Sequence, residues 1–397
     1  MSSETVGGGA KGAGRPSGLR NGQSRGGPAP VQQHLRTAFK VVVFLVALYA
    51  FLVSIETMGA AFKLFGKGFT TALLGATTHP VMGLFVGLLA TSLVQSSSLT
   101  TSVLVGMVAS GSIPLESAIP IVMGANMGTT ITSTLVSLGH VTRSEEFKRA
   151  FAGATLHDFF NICTVVVLLP IEETTHVLQR LATHLSSLAV GMGGGSFKSP
   201  LKALVKPSAH VLDAICEWIS QGHPVVAGVL LLVLAMGILF AALRHMTGVM
   251  RGGVMSRIER LTQGYLFKKP LRAMLLGVLF TAIVQSSSVT TSLVVPLVGA
   301  GVLSLDRAFP YLLGANVGTT VTALLASTVT GSAAAVTVAL AHLCFNIAGI
   351  LIFYPLRVIP IGLATALGRV AARSRWLAGA YVGAVFFGLP LLLFLIF

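Results

Sequence analysis

Charged side chains are scarce in this sequence, and the acidic ones are the scarcest. Asp and Glu number 12 against 27 Lys and Arg, and only 10% of all residues are charged. A soluble domain carries charge on about a quarter of its residues. With 53% hydrophobic residues and a mean hydropathy of +0.84, the chain has too little polar surface to cover a soluble core. This scarcity excludes an ordinary soluble protein.

Cysteine is also scarce, with three residues in the whole chain. So few cysteines exclude a disulfide framework. Cys163 and Cys344 lie in apolar stretches, where we expect each thiol to act as a small buried hydrophobe. No general base stands near Ser96 or Ser286 in the sequence, so neither serine reads as a nucleophile. We therefore expect no enzymatic activity and no cofactor.

Long apolar runs make up most of what is present. They are Phe39–Phe62, Pro224–Leu243, Val336–Leu356 and Trp376–Phe397. About 20 apolar residues cross the hydrocarbon core as a helix, and these runs lack the alternation of barrel strands. The sequence thus predicts an all-α polytopic membrane protein in contact with the lipid bilayer.

The formal net charge of +15 is by itself compatible with nucleic-acid binding. However, the basic residues are concentrated at the N-terminus and between apolar runs, which is the distribution that the positive-inside rule produces. We therefore expect no nucleic-acid binding. The same rule predicts a cytoplasmic N-terminus, and we expect a multi-pass protein of the plasma membrane.

Two polar motifs recur along the chain at a constant spacing. The first is Gln95-Ser96-Ser97-Ser98, which returns as Gln285-Ser286-Ser287-Ser288. The second is Gly124-Ala125-Asn126-Met127-Gly128-Thr129-Thr130, which returns as Gly314-Ala315-Asn316-Val317-Gly318-Thr319-Thr320. An internal repeat is therefore predicted.

Charge predicts that the two copies have opposite orientations. The segment before His157 is basic and its helix exits into Glu172 and Glu173, whereas the segment before His342 is uncharged and exits toward Arg357. By the positive-inside rule the first copy runs outward where the second runs inward. The sequence thus predicts two inverted-topology repeats, an architecture of secondary transporters.

These patterns divide the chain into five predicted segments. They are a disordered cytoplasmic tail (1–36), a first transport repeat (37–170), an external linker loop containing Gly193-Gly194-Gly195 (171–222), a second transport repeat (223–357), and a basic cytoplasmic segment with a C-terminal transmembrane helix (358–397).

Each Gln-Ser-Ser-Ser motif lies between two apolar stretches that are too short to span. In the first copy these are Pro80–Val94 and Leu99–Ser110, and in the second Pro270–Val284 and Val289–Ala300. Each copy therefore predicts a re-entrant helical hairpin with a polar tip near the midplane. The two glycines and the asparagine of each Gly-Ala-Asn motif predict an unwound break in the next transmembrane helix.

The side chains of these motifs suit both a cation and an anion. Hydroxyl and amide groups offer oxygen acceptors for sodium and hydrogen donors for a small oxyanion. No Lys or Arg lies in the motifs, so a bound anion would need co-bound cations.

His157 and Asn161, with His342 and Asn346, are expected to form structural hydrogen bonds between a helix and a hairpin.

At these motifs the chain resembles the type II sodium-dependent phosphate cotransporters. The segments Arg149–Asp158 and Phe345–Leu351 share the resemblance, which covers about residues 55–397. It implies inorganic phosphate as the substrate and Na⁺ as the coupled ion. It places phosphate against Gln95, Ser96, Ser97, Ser98, Asn126, Gln285, Ser286 and Asn316. It places sodium against Gln285, Ser286, Ser287, Thr319, Thr322 and Thr129.

The sequence therefore predicts a sodium-coupled symporter that imports phosphate by alternating access. Hairpin and break motifs alone do not choose the anion, so a symporter of another small anion, such as a dicarboxylate, is the main alternative. A passive anion channel is a second alternative. The sequence does not determine the oligomeric state or the ion stoichiometry.

Overall fold

In the residues that it describes, the computed structural model is almost entirely helical. It describes residues 30–65, 79–190, 200–262, 267 and 269–396, and every contact discussed below lies within the compact unit Val42–Phe397. The first helices are α1 (Pro30–Leu64), α2 (Pro80–Val94), α3 (Ser97–Ser110), α4 (Leu115–Met127), α5 (Ile131–Ser137), α6 (Ser144–Thr175), α7 (Val177–Val190) and α8 (Pro200–Ile219). The later helices are α9 (Pro224–Thr262), α10 (Pro270–Val284), α11 (Ser287–Ser292), α12 (Val294–Gly299), α13 (Leu305–Thr330), α14 (Ala333–Phe353), α15 (Val358–Arg373), α16 (Arg375–Gly383) and α17 (Leu389–Ile396).

Six helices in the described part of the chain are long and apolar enough to cross a membrane. They are Ala38–Leu64, Ser144–Thr175, Pro224–Met246, Leu305–Thr330, Ala333–Phe353 and Trp376–Leu393. Four of these match the apolar runs read from the sequence. The prediction of an all-α polytopic membrane protein is confirmed.

The two predicted hairpins are present as pairs of short helices. Helix α2 ends at Val94 and α3 begins at Ser97, while α10 ends at Val284 and α11 begins at Ser287. Helix α2 has 15 residues, which extend about 22 Å at 1.5 Å per residue and fall short of a hydrocarbon core about 30 Å thick. Each polar motif is the turn between two such helices.

The predicted break in the second copy is wrong. Helix α13 continues without interruption through Gly314 and Gly318. In the first copy the helix is interrupted, but by a 3₁₀ turn at Gly128–Thr130 that leads directly into α5. These glycines permit close helix packing instead. A Cβ atom at Gly314 would lie 1.9 Å from the carbonyl oxygen of Met274 on α10.

The first copy uses the same packing. A Cβ atom at Gly124 would lie 1.8 Å from the carbonyl oxygen of Leu84 on α2. Glycines spaced four residues apart let two helix backbones approach, as in the Gly-x-x-x-Gly contacts of membrane helices. The glycines therefore press α4 against α2 and α13 against α10, the helices that carry the polar tips.

The predicted linker loop is also different in the structure. Most of residues 171–222 are helical, because α6 extends to Thr175 and is followed by α7 and α8. Ser186 of α7 donates a hydrogen bond to the carbonyl oxygen of Ala333 at the start of α14. Residues 1–29 of the predicted tail and Gly193-Gly194-Gly195 of the predicted loop lie outside the described residues. Helix α1 begins at Pro30, before the predicted end of the tail.

Apolar clusters pack against both hairpins. In the first hairpin, Leu104 of α3 belongs to a cluster with Phe51 of α1, and Leu88 of α2 belongs to a second cluster. In the second hairpin, Phe280 of α10 belongs to a cluster with Phe309 of α13. Side chains of this size pack closely and leave few alternative rotamers. The tips are thus held on well-packed supports.

Candidate functional site

The two hairpin tips have the same backbone conformation. Gln95 and Gln285 are in the left-handed region, with φ of 57° and 56°. This region is uncommon for a residue with a side chain. Each glutamine offsets the strain with its amide, because Gln95 Nε2 donates to the carbonyl oxygen of Ser92 and Gln285 Nε2 to that of Ala282.

The serine that follows each glutamine caps the returning helix. Ser96 and Ser286 are extended, with φ of −150° at both positions. Ser96 Oγ accepts from the backbone N–H of Leu99 at 3.2 Å, and Ser286 Oγ accepts from that of Val289 at 3.4 Å. The serine-rich sequence thus forms the turn because a hydroxyl replaces the missing helical acceptor.

Both tips line one cavity of about 510 Å³. Gln95 and Ser96 come from the first tip, and Gln285 and Ser286 come from the second. The rest of the lining is Val94, Leu99, Phe240, Leu243, Arg244 and Gly248. Residues from two distant parts of the sequence therefore line a single cavity.

Next to the cavity, side-chain oxygens form a short chain that joins the two copies. Thr322 Oγ1 donates to Gln285 Oε1 at 2.5 Å, and Ser98 Oγ donates to Thr322 Oγ1 at 3.4 Å. The Thr322 contact has a counterpart in the first copy, where Thr132 donates to Gln95 Oε1 at 3.0 Å. Ser98 was predicted to bind phosphate, but its hydroxyl lies among the predicted sodium ligands.

The remaining hydroxyls of the predicted sodium set are buried. Ser287 lies at the start of α11, and Thr319 on α13 donates to the carbonyl oxygen of Ala315 at 3.0 Å. Thr129 lies in the 128–130 turn, which α11 contacts. Ser97, predicted for phosphate, is also buried and does not line the cavity.

Asn126 and Asn316 also lie apart from the cavity, although both were predicted to contact phosphate. His157 Nε2 donates to Asn316 Oδ1, and His342 Nε2 donates to Asn126 Oδ1 at 3.1 Å. Both histidines were expected to bond to a hairpin. Their partners lie instead on α13 and α4, so each bond joins a helix of one copy to a helix of the other.

The two asparagines of the histidine helices differ in their bonds. Asn161 accepts from Asn316 Nδ2 at 2.8 Å and donates to the backbone oxygen of Asn126 at 3.0 Å. Asn346 donates only to the carbonyl oxygen of His342 on its own helix, at 3.1 Å. Among the described residues, Asn126 Nδ2, His342 Nδ1 and Asn346 Oδ1 have no hydrogen-bond partner.

Within the described part of the chain, no group of three or more His, Cys, Asp or Glu side chains is placed to hold a metal ion. Oxygen ligands for a cation near the tips are therefore hydroxyls, amides and backbone carbonyls. Such neutral oxygens suit a hard monovalent ion, since they do not overcompensate a single charge.

Arg244 is the charged residue of the cavity lining, and the motifs did not indicate it. It lies on α9, outside both repeated motifs, and its side chain is exposed. One sequence signal points to it, since an arginine directly follows the long apolar run that ends at Leu243. Nothing in the sequence shows that this helix face borders the tips.

Comparison with known proteins identifies a family for most of the chain. Residues 50–194 and 232–394 match the family model described as Na+/Pi-cotransporter. The chain is 35% identical to sodium-dependent phosphate transport protein 2A of Mus musculus, over 89% of this chain and 67% of the mouse protein. It is 33% identical to sodium-dependent phosphate transport protein 2B of Homo sapiens, over 89% of this chain and 65% of the human protein.

These relatives are longer than the chain, which spans about two thirds of their length. No solved structure matches the chain. The matched segments contain both hairpins, the histidine helices and Arg244.

Proposed function

The chain belongs to the Na+/Pi-cotransporter family, and from this premise we propose that it is a symporter that imports inorganic phosphate together with sodium ions. The observation that carries the proposal is the convergence of both Gln-Ser tips on one cavity. If each hairpin tip lined a separate cavity, the protein would have two incomplete binding sites. A shared cavity offers one site to which both copies contribute, which is what transport by two repeats requires.

Phosphate would bind at the cavity face of the tips. Gln95 and Gln285 offer amide groups there, and Ser96 and Ser286 offer hydroxyl groups. The N-terminus of α3 begins beside the first tip, and the partial positive charge of a helix N-terminus stabilises an anion. Asn126 and Asn316 would support this site from the buried histidine bonds rather than touch the anion.

Sodium would bind to the buried oxygens next to the second tip. Gln285 Oε1 and Ser98 Oγ both lie within hydrogen-bonding range of Thr322 Oγ1. A cation there lies beside a tip that also faces the phosphate cavity, so each ion stabilises the other. Ser287, Thr319 and Thr129 are the further hydroxyls proposed for this ion.

The sodium gradient supplies enough energy for the task. A tenfold gradient contributes about 1.4 kcal/mol per ion. Each net charge that crosses the membrane adds about 2.3 kcal/mol per 100 mV. Two ions could thus concentrate phosphate by about a hundredfold before any contribution from the membrane potential.

Alternating access would expose this cavity to each side in turn. The basic residues that follow the α9 span favour a cytoplasmic location for that end of the helix, and the cavity includes Arg244 from it. The structure described here would then correspond to an inward-facing state of a plasma-membrane protein with a cytoplasmic N-terminus. The opposite orientation of the two copies remains part of this proposal.

Flux measurements test the proposal. We expect the purified protein in liposomes to take up radiolabelled phosphate with saturation, and only when sodium is supplied outside. Uptake that is independent of sodium would contradict the coupling. A dicarboxylate that is taken up in place of phosphate would favour the main alternative, and flux without saturation would favour a channel. Voltage-clamped measurements of the same flux would give the stoichiometry.

A further inference from the structure

We propose that the Arg244 guanidinium binds the phosphate as it enters or leaves the tips, and that it sets the affinity for the anion. This inference rests on the proposed function, because it assigns a further residue to the same cavity. Arg244 also supplies a positive charge, which both motifs lack. The Gln-Ser-Ser-Ser tips contain only neutral side chains, so they give hydrogen bonds without a compensating charge.

The position of Arg244 on α9 makes it part of the cavity wall. The cavity residues of α9 are Phe240, Leu243, Arg244 and Gly248, whose spacing of three and four residues places them on one helix face. Gly248 carries no side chain, and a Cβ atom there would have no atom within 4 Å. The α9 side of the cavity is therefore open at Gly248, one helical turn after Arg244.

Within the part of the chain that the structure describes, the charge of Arg244 is not used in an ion pair. Among the described residues, the ion pairs of basic side chains involve His140, Arg143, Lys148, Lys202 and Arg357, and none involves Arg244. An arginine keeps its charge at any pH that the protein meets. A fixed positive charge that faces neutral donors across a cavity attracts an anion and raises its local concentration.

The geometry of the guanidinium suits a tetrahedral oxyanion. Its planar fork can donate two parallel hydrogen bonds to two oxygens of one phosphate, which a lysine cannot do. A cavity of about 510 Å³ leaves room for more than the anion, because one water takes up about 30 Å³ in the liquid. Phosphate could therefore contact Arg244 while it keeps part of its hydration shell.

A competing role for Arg244 is that of a membrane-surface anchor. An arginine at the end of a transmembrane span often extends its charge to the polar headgroups and helps to orient the helix. That role would affect insertion and stability. It would not affect the affinity for phosphate, and so the two roles give different results in a binding experiment.

The test compares Arg244→Gln, Arg244→Lys and the wild type for equilibrium binding of radiolabelled inorganic phosphate in nanodiscs, in saturating sodium. We expect Kd to rise about tenfold in Arg244→Gln, which corresponds to about 1.4 kcal/mol. In Arg244→Lys the rise should be about threefold, because the charge remains but the fork is lost. Arg369→Gln on α15 is the control, since it removes one exposed arginine that does not line the cavity.

Salt dependence provides a second measurement. Raising the ionic strength should weaken phosphate binding in the wild type more than in Arg244→Gln, since screening acts on the charge that the variant lacks. Equal Kd values in wild type and Arg244→Gln would overturn the assignment of Arg244 while leaving the proposed function intact.

Two further outcomes separate this inference from the proposed function. Wild-type protein that binds phosphate through Arg244 but takes it up without sodium would overturn the coupling and support the arginine. Wild-type protein that does not bind phosphate at all would overturn both. Equal losses in Arg244→Gln and Arg369→Gln would show a general effect of net charge and would overturn the assignment.

Discussion

The two hairpin tips and the two buried histidine–asparagine networks are both duplicated, yet they have diverged to different extents. At the tips, the left-handed glutamine, its bond to the preceding turn and the serine cap are reproduced within a degree or two of backbone angle. In the networks, Asn161 links two neighbours whereas Asn346 bonds only to its own helix.

The difference shows where the molecule is fixed and where it can rearrange. A buried polar atom without a partner costs about 1–3 kcal/mol, and three such atoms lie in the network of Asn126, His342 and Asn346. The network of His157, Asn161 and Asn316 is more nearly complete. If the two copies alternate in access, they must adopt different conformations in any one state, and we expect the networks to exchange their bonding patterns while the tips stay constant.

The largest effect is expected where glycines let α4 pack against α2 and α13 pack against α10, and it shows whether the two helix pairs are equally important for stability. We expect Gly314→Ala to lower the free energy of unfolding by about 3 kcal/mol, because the new Cβ atom would meet the Met274 carbonyl oxygen at 1.9 Å. Gly124→Ala should cost the same, since its Cβ atom would meet Leu84 at 1.8 Å. Thermal unfolding in detergent measures both. Gly237→Ala on α9 is the control, with no atom within 4 Å.

The second prediction tests the difference between the networks. We expect Asn161→Ala to destabilise the protein by about 2 kcal/mol, because it removes two bonds and leaves the buried Asn316 amide without its acceptor. Asn346→Ala should cost less than about 1 kcal/mol, since it removes one bond together with an oxygen that had no partner. Equal losses in the same unfolding assay would show that the asymmetry has no energetic meaning.

The third prediction concerns the role of each tip. Gln285→Ala should raise the sodium concentration for half-maximal uptake about tenfold, because its Oε1 belongs to the Ser98–Thr322 oxygen chain. Gln95→Ala should change the phosphate KM more than the sodium requirement. Gln221→Ala is a matched control, because Gln221 is also left-handed, with φ of 51°, but is exposed and outside the cavity. Normal sodium activation in Gln285→Ala would contradict the ion site.

The smallest effect is expected at the serines in the fourth position of each motif. Ser98→Ala should raise the sodium requirement about threefold, since its hydroxyl donates to Thr322 across the two copies, by a bond of 3.4 Å that is long and therefore weak. Ser288→Ala should have less effect, because no such bond to the other copy is found for Ser288 among the described residues. Sodium activation curves for the two variants, measured at one protein density, compare them directly. The reverse order would place the ion beside the first tip.

Much of the fold was predictable because hydropathy and length determine membrane spans. The hairpin helices α2 and α10 have the bounds that were read from the sequence, since Pro80 and Pro270 begin apolar runs that stop at a glutamine. The helices between the repeats were missed. Helices α7 and α8 are amphipathic. Their many polar residues gave this segment the composition of a loop, although the polar residues lie on one face of each helix.

The second break was mispredicted because glycine has two uses in a membrane helix. Gly314 and Gly318 can free the backbone or let another helix approach, and the sequence alone does not show which helix lies opposite. The positions of Arg244, Asn126 and Asn316 were not predictable for the same reason, because they depend on which helices pack together. The repeat identified which residues are special, but the three-dimensional packing decided that Ser98 lies with the oxygens and that Asn126 lies with a histidine.

The histidine bonds cross between the two copies. His157 of the first copy bonds to Asn316 of the second, and His342 of the second bonds to Asn126 of the first. Neither histidine therefore has this acceptor in its own half of the chain. Because any sliding of one half against the other must break both bonds or carry both partners along, these two contacts couple the positions of the halves.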